Sequence, residues 1–326
     1  MSQADPATNP ITKSLIIPVY KNEANIPSLL DAIEDLAKKL GEEFEVVFVV
    51  DGSPDKSFEL LAASLPSTTF SSQLVTLSKN FGSFSAIRSG LEAARGRFFA
   101  VMAADLQEPP ELIGQFFEEL AADRADVIFG KREARSDGFL SDLFSKIFWK
   151  TYKKFVLPDI PEGGVDIFAC NEAVRSVLLK FEEANSSLVA QLFWVGFRRL
   201  YIPYERRERI HGKSAWNFSR KFRYMLDSIF SFSDLPIMAL LWLGLFGCTG
   251  SIFLSIIIFL FWLFGAITEP GYTPIMLGLL FLGSIIITSQ GIIGCYIWRT
   301  SENTKKRPLT IVASKTIFNG LAKRIL

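Results

Sequence analysis

Two stretches of the chain, residues 235–268 and 271–298, contain no charged residue. Each exceeds the ~20 residues that an α-helix needs to cross ~30 Å of hydrocarbon. The spacing predicts two transmembrane helices, near 236–264 and 274–298, joined by the short turn GAITEPGYT. Arginine and lysine crowd the approach to the pair (Arg198, Arg199, Arg206, Arg207, Arg209, Lys213, Arg220, Lys221, Arg223) and its exit (Arg299, Lys305, Lys306, Arg307), while the turn has none. By the positive-inside rule both flanks face the cytoplasm. One short outer loop leaves no room for a transport path, so anchorage is the expected role.

Composition agrees with partial membrane residence: 49% of the 326 residues are hydrophobic, and the mean hydropathy is +0.27. The formal net charge of +1 argues against a nucleic-acid binder, which normally carries a basic domain. Cys170, Cys248 and Cys295 are odd in number and lack metal-ligand spacing, so neither a disulfide framework nor a zinc site is expected. The lone His211 has no second histidine nearby and reads as a loop residue. The opening MSQADPATNPITK has no basic and apolar leader pattern, so no cleaved signal peptide is expected.

Before the apolar region the chain alternates. Strands are expected at 14–20, 44–50, 74–77, 98–102 and 127–130, with helices at 26–40, 56–64, 83–94 and 110–121. Such alternation predicts a doubly wound, mainly parallel α/β sheet with helices on both faces. Neither GxGxxG nor GxxxxGK[ST] occurs, which disfavours a membrane-tethered dehydrogenase and a P-loop enzyme. Residues 139–156 and 216–232 place lysines and arginines among aromatic and aliphatic side chains at helical spacing. The first fits a core-facing or an interfacial helix, and the second, just before the apolar run, an interfacial one.

The stretch FFAVMAADLQEPPEL, residues 98–112, stops an apolar strand at an acid, an amide and two prolines. Pro109 and Pro110 end the strand and preset a helix. Asp105 and Gln107 then lie at a strand's carboxyl end, where open α/β sheets bind ligands. In an extended segment their i, i+2 spacing would aim both side chains one way. A carboxylate and an amide carbonyl together suit a Mg²⁺ or Mn²⁺ ion that carries a diphosphate. An ordinary polar strand-to-helix loop is the alternative.

Several motifs now stand in order: Pro18-Val19-Tyr20-Lys21-Asn22-Glu23, Asp51-Gly52-Ser53-Pro54-Asp55, Asn80-Phe81-Gly82, Ala104-Asp105-Leu106-Gln107 with Pro109-Pro110, Asp166, and Arg209-x-x-Gly212-x-Ser214. This ordered set resembles family 2 glycosyltransferases, and within them the polyisoprenyl-phosphate glycosyltransferases. The group includes dolichol-phosphate mannose synthases and bacterial undecaprenyl-phosphate glucosyltransferases. The resemblance spans residues 14–214 plus the two-helix tail.

It implies a GT-A type, Rossmann-like fold and an inverting transfer from a nucleotide sugar to a polyisoprenyl phosphate, with Mg²⁺ or Mn²⁺ as cofactor. It places the nucleotide-sugar on Pro18, Tyr20, Glu23, Asp51, Ser53, Asn80, Ala104, Asp105, Gln107, Arg132, Arg209 and Lys213. The metal falls to Asp105 and Gln107, and the acceptor phosphate to Arg206, Arg209 and Ser214. Asp166 and Asp105 are the catalytic candidates, Asp166 as base or as orienting group. DGSPD is also a good turn and helix-cap sequence. Departures from the family pattern are Val50 and Ala103, where Asp is frequent, and Ala215, where Lys or another large residue is usual. No Q-x-x-R-W signature occurs, which disfavours a processive polysaccharide synthase.

The expected organisation is a polar tail over 1–13, a cytoplasmic catalytic domain over 14–214, a juxtamembrane helix over 215–234, the two spans over 235–298 and a cytoplasmic tail over 299–326. The expected activity is glucosyl transfer from UDP-glucose to undecaprenyl phosphate or a similar lipid at the cytoplasmic face of the plasma (inner) membrane. Mannose, a modified aminopentose, and a non-catalytic nucleotide-sugar-binding membrane protein are the alternatives. A homo-oligomer is compatible with the glycine-bearing helices and with pairing of 307–312 across subunits.

Overall fold

The computed structural model describes residues 11–132, 167–183, 186–207, 235–264 and 271–320, together with positions 153, 165, 229, 230 and 233. The chain divides into two compact units, Met1–Lys221 with Arg307–Leu326, and Phe222–Lys306.

The first unit is built on strands β1 (Lys13–Val19), β2 (Phe44–Val50), β3 (Ser71–Leu77), β4 (Phe98–Val101), β5 (Val127–Arg132), β6 (Phe168–Asn171), β7 (Arg199–Tyr204) and β8 (Val312–Phe318). They form one sheet in the order β7-β5-β6-β4-β1-β2-β3-β8. β1 pairs in parallel with β2 and β4, β2 with β3, and β5 with β7; β6 and β8 run antiparallel to their neighbours. β2 is buried along its whole length (FEVVFVV), as expected of a strand covered on both faces.

Helices α1 (Ile26–Leu40), α2 (Ser57–Ser64), α3 (Ser83–Ala93) and α4 (Pro110–Ala121) follow β1 to β4 in turn. Leu29, Ile33 and Leu36 of α1 and Ile113, Phe116 and Phe117 of α4 share a core with Leu15, Ile17 and Phe48 of the sheet. Phe117 meets Phe44 edge to face at 6.4 Å. Burying side chains of this size stabilises by roughly 1.5–3 kcal/mol each. α3 packs on β1 and β2. Helices α5 (Glu172–Leu178) and α6 (Leu188–Trp194) separate β6 from β7, and begin at Asn171 and Ser187, whose side chains accept from the N–H groups of Val174 and Ala190.

The sequence reading of a mainly parallel α/β sheet therefore holds, with differences in detail. β6, α5, α6 and β7 were not anticipated. The strand expected at 307–312 lies at Val312–Phe318 and joins β3 of its own chain. Its approach is fixed by two bonds: Ser78 N donates to the Ile311 carbonyl at 2.9 Å, and Ser89 Oγ to Thr310 Oγ1 at 2.7 Å. At its far end Gly320 lies so close to Thr69 that a Cβ would fall 2.1 Å from the Thr69 carbonyl oxygen.

The second unit contains α7 (Leu235–Leu263, 29 residues) and α8 (Tyr272–Thr304, 33 residues). The expected helical pair is present as helices. Among the described residues no helix is long and apolar enough to cross a membrane; the sequence of α7 carries no charged residue. Phe230 packs edge to face on Tyr296 at 5.4 Å, and the Arg299 guanidinium lies over its ring. Most of the amphipathic segments expected at 139–156 and 216–232 lies outside the described residues.

Candidate active site

The parallel strands β1, β2, β3, β4, β5 and β7 end on one side of the sheet, and the residues beyond their carboxyl ends form the candidate site. After β2, Asp51 is buried to 2% exposure. Its carboxylate accepts the N–H of Phe81 at 2.7 Å and of Gly82 at 2.9 Å, while its carbonyl accepts from Asn80 Nδ2 at 3.3 Å. Burial pushes the Asp51 carboxyl above its ordinary pKa, and the two N–H bonds only partly oppose this. Gly52, at φ 55°, brings the turn against the same loop: a Cβ there would lie 2.3 Å from the Lys79 carbonyl carbon. Asp51 thus fixes the 80–82 loop onto the end of β2.

The turn after β1 is joined to the turn after β2. Lys21 N donates to Ser53 Oγ (2.7 Å), Asn22 N to Ser57 Oγ (3.2 Å) and Glu23 N to Asp55 Oδ2 (3.0 Å), and Lys56 N donates back to Glu23 Oε2 (3.0 Å). Ser53 Oγ donates to Asp55 Oδ1 at 2.6 Å. Burial raises the Asp55 carboxyl, but the bonds from Ser53, Ser57 and Glu23 outweigh it and hold the group below its usual range. Glu23 and Ser53 therefore brace two turns against each other. Asp55 and Ser57 complete the brace; the sequence reading quoted Asp55 only within its motif and did not name Ser57, although the polar spacing of DGSPDKS was a usable signal. Pro18 and Tyr20 are half-buried beside this brace, Asn80 is exposed and Ala104 is buried.

The turn after β4 departs from expectation. Leu106 adopts φ 54°, so Asp105 and Gln107 are not joined by an extended segment and their side chains do not share one direction. Asp105 is half-exposed; its Oδ1 accepts weakly from Gln107 N at 3.4 Å. Gln107 is only 7% exposed. Its Oε1 accepts from Arg206 Nη2 at 2.6 Å, its carbonyl accepts from Arg207 N at 2.9 Å, and its Nε2 reaches the Arg207 carbonyl at 3.5 Å. The extended geometry expected across 105–107 is thereby corrected, and the Gln107 amide oxygen accepts from Arg206. Glu108, 1% exposed, accepts from Ala103 N at 3.4 Å and folds the turn back on itself.

Arg132 ends β5 and is half-buried, and Arg206 follows β7. Asp166, Arg209, Lys213 and Ser214 lie outside the described residues. Among the described residues no group of three or more His, Cys, Asp or Glu side chains is placed to hold a metal ion. A half-exposed carboxylate at Asp105 still fits a Mg²⁺ or Mn²⁺ that takes most of its oxygens from substrate phosphates and water.

Residues 14–181 match the Glycosyl transferase family 2 domain. This chain is a family 2 glycosyltransferase. Family-wide likeness extends to full-length relatives. A Bacillus subtilis protein, the glycosyltransferase CsbB, is 32% identical over 94% of this chain and 92% of its own length. The prophage bactoprenol glucosyl transferase homolog of Escherichia coli K12 is 31% identical over 92% of this chain and 97% of its own. The bactoprenol glucosyl transferase of Shigella phage SfV is 30% identical over 93% and 98%. The expected resemblance to polyisoprenyl-phosphate glycosyltransferases is borne out, and the first unit has the mixed α/β sheet that it implied.

Proposed function

We propose that this family 2 glycosyltransferase moves glucose from UDP-glucose to a polyisoprenyl phosphate such as undecaprenyl phosphate. The observation that carries the reading is the meeting, at one sheet edge, of the Asp105 turn with the arginine-bearing segment after β7. Relatives of nearly equal length named for bactoprenol glucosylation support the same choice of substrates.

The braced turns after β1 and β2 offer Pro18, Tyr20, Glu23 and Ser53 to the uridine, and the loop after β3 offers Asn80. Asp105 would hold Mg²⁺ or Mn²⁺ against the diphosphate, and the ion would supply positive charge where the leaving group develops negative charge. Arg132, Arg209 and Lys213 add fixed positive charge toward the donor diphosphate, while Arg206, Arg209 and Ser214 receive the lipid phosphate. A phosphate oxygen attacks the anomeric carbon, the new C–O bond forms as the bond to the UDP oxygen breaks, and that oxygen leaves with the electron pair. One displacement inverts the centre. A phosphomonoester has a second pKa near ~6 and is largely dianionic at neutral pH, so Asp166 acts as an orienting group.

The helices α7 and α8 serve as the membrane anchor in this reading. At 1.5 Å per residue each is longer than ~30 Å of hydrocarbon. Phe246, Phe253, Phe264 and Ile287 are 67–80% exposed, as side chains that face lipid are. In this reading the catalytic unit and both termini lie on the cytoplasmic side of the plasma (inner) membrane, which the basic flanks support.

The test is transfer of label from UDP-[¹⁴C]glucose to undecaprenyl phosphate by the purified full-length chain with Mn²⁺ or Mg²⁺. An organic-soluble glucolipid is expected, and GDP-mannose and a UDP-aminopentose are expected to give less. Absence of glucolipid with either metal overturns the reading.

A further inference from the structure

The loop that joins β3 to α3, residues 78–82, is held from two sides. On one side the turn after β2 grips it: Asp51 accepts the N–H groups of Phe81 and Gly82 at 2.7 and 2.9 Å, and Gly52 leaves no room for a Cβ beside Lys79. On the other side lies the segment just before β8. The Ile311 carbonyl accepts from N–H of Ser78, the first residue of the loop, at 2.9 Å. Thr310 Oγ1 accepts from Ser89 Oγ at 2.7 Å, and Ser89 belongs to α3, the helix that continues from the loop's last residue. Ser89 is only 3% exposed, so water competes little for this hydroxyl pair. The β3–β8 ladder changes register at the same place: Thr76 pairs with Ser314 but Leu77 with Val312, passing over Ala313. Such an irregularity bends the strand that carries it and re-aims its neighbours. Two adjacent residues, Thr310 and Ile311, thus bridge both ends of one loop.

We infer that Thr310 is a positioning residue for the nucleotide-sugar donor: with the Ile311 carbonyl it fixes the 78–82 loop from the side opposite Asp51, so that a segment encoded after both long helices completes the donor site. The inference rests on the donor reading proposed above, in which Asn80, exposed in the middle of this loop, meets the uridine. A loop gripped from one side only keeps more backbone freedom, and binding must then remove it. The loss therefore falls on donor affinity. The acceptor groups proposed above, Arg206, Arg209 and Ser214, belong to another part of the chain.

The experiment compares the native full-length chain with Thr310→Val, Thr310→Ser, Ser89→Ala, the double variant of Ser89→Ala with Thr310→Val, and Gly320→Ala. Three quantities are read for each: UDP affinity by calorimetry with Mn²⁺, the KM for undecaprenyl phosphate, and the urea midpoint. Thr310→Val and Ser89→Ala are each expected to weaken UDP binding about fivefold, the scale of one neutral hydrogen bond, and to leave the acceptor KM within about twofold. The double variant is expected to match the worse single one, as for two groups that share one contact. Thr310→Ser keeps the hydroxyl and is expected to bind UDP within about twofold of the native chain. Gly320→Ala disturbs the same strand at its other end, where a Cβ meets the Thr69 carbonyl. It is expected to lower the urea midpoint and to leave UDP affinity within about twofold.

Native UDP affinity in both Thr310→Val and Ser89→Ala would overturn the inference. So would a Thr310→Ser variant as weak as Thr310→Val, since the hydroxyl would then not be the agent. A Gly320→Ala variant that loses as much UDP affinity as Thr310→Val would reduce the effect to general destabilisation of the strand and end the proposal equally; this comparison stands on the urea midpoints even where one variant folds poorly. Failure of the native chain to bind UDP at all removes the donor reading as well, which separates the two failures.

Discussion

Arg88 and Arg175 cap each other's helices. Arg88, on α3, donates to the carbonyls of Leu178 and Leu179 at the end of α5, with 2.7 Å to Leu178. Arg175, on α5, donates to the carbonyls of Leu91, Glu92 and Ala94 at the end of α3, at 2.7–3.3 Å. Each cation meets the negative end of the other helix. The exchange ties the helix that starts at the Asp51-held loop to the helix that follows β6.

Hydrogen bonds from a charged donor contribute roughly 1.5–3 kcal/mol. Arg175→Ala is therefore expected to lower unfolding free energy of the catalytic unit by about 2 kcal/mol in urea titration. Arg88→Ala should cost a similar amount, and Arg175→Lys, which cannot span three carbonyls, should recover little.

At Asp51 the expected outcome is a loss of donor binding. Asp51→Asn keeps one acceptor but turns an NH₂ toward a backbone N–H, at a cost of about 1–3 kcal/mol. UDP affinity should fall about tenfold or more by calorimetry. The native protein should show the same loss on acidification, beginning above the ordinary aspartate value of about 4 because this carboxyl is raised. Global stability has the opposite sign here: the folded state binds this proton more tightly than the unfolded state, so ionisation of Asp51 costs stability above its pKa.

Gly52→Ala meets both a positive φ and the backbone of Lys79. Backbone cannot yield as a flexible side chain does, and a left-handed conformation costs about 1 kcal/mol for alanine before any clash. Loss of several kcal/mol is expected, seen as a thermal midpoint lowered by about 5 °C or more.

Asp126 has a depressed pKa. Arg198 is the main cause, through its side chain and N–H, and Asn171 adds a bond, against a smaller opposing effect of burial. The carboxylate joins the starts of β5 and β7 to the end of β6, with Arg198 Nε at 3.0 Å and Asn171 Nδ2 at 2.9 Å. A depressed folded pKa gives stability that is present above the unfolded value, about 4, and lost as pH falls through the folded one. Native stability should thus decline below pH about 4, and Asp126→Asn should flatten part of that decline while costing about 1 kcal/mol at pH 7, a figure reduced because Arg198 is half-exposed.

Much of the first half of the sheet was legible because its signals are local. α1 and α4 fall at the expected residues, 26–40 and 110–121, since apolar spacing and Pro110 mark their faces and start. The 167–204 segment was not, because β6 is only four residues, FACN, and its ladder is antiparallel on both sides. Strand lengths near that minimum carry too little pattern, although Asn171 and Ser187 advertised helix starts. In the site, the ordered motifs were legible as the residues that follow the carboxyl ends of β1, β2 and β4. They did not reveal the left-handed Leu106, since nothing in DLQEPP requires it.

The position of β8 has a practical corollary for anyone wishing to study catalysis in water. The last strand is encoded after both long helices, yet it completes the sheet, so a chain stopped near residue 221 discards the partner of β3 and bares that seven-residue strand as an edge. Uncovered edges of that kind recruit other chains, and such a fragment should elute as aggregate on size exclusion. Splicing residue 221 to residue 307 through a flexible peptide keeps the closing strand, and should yield a monodisperse enzyme that still binds UDP.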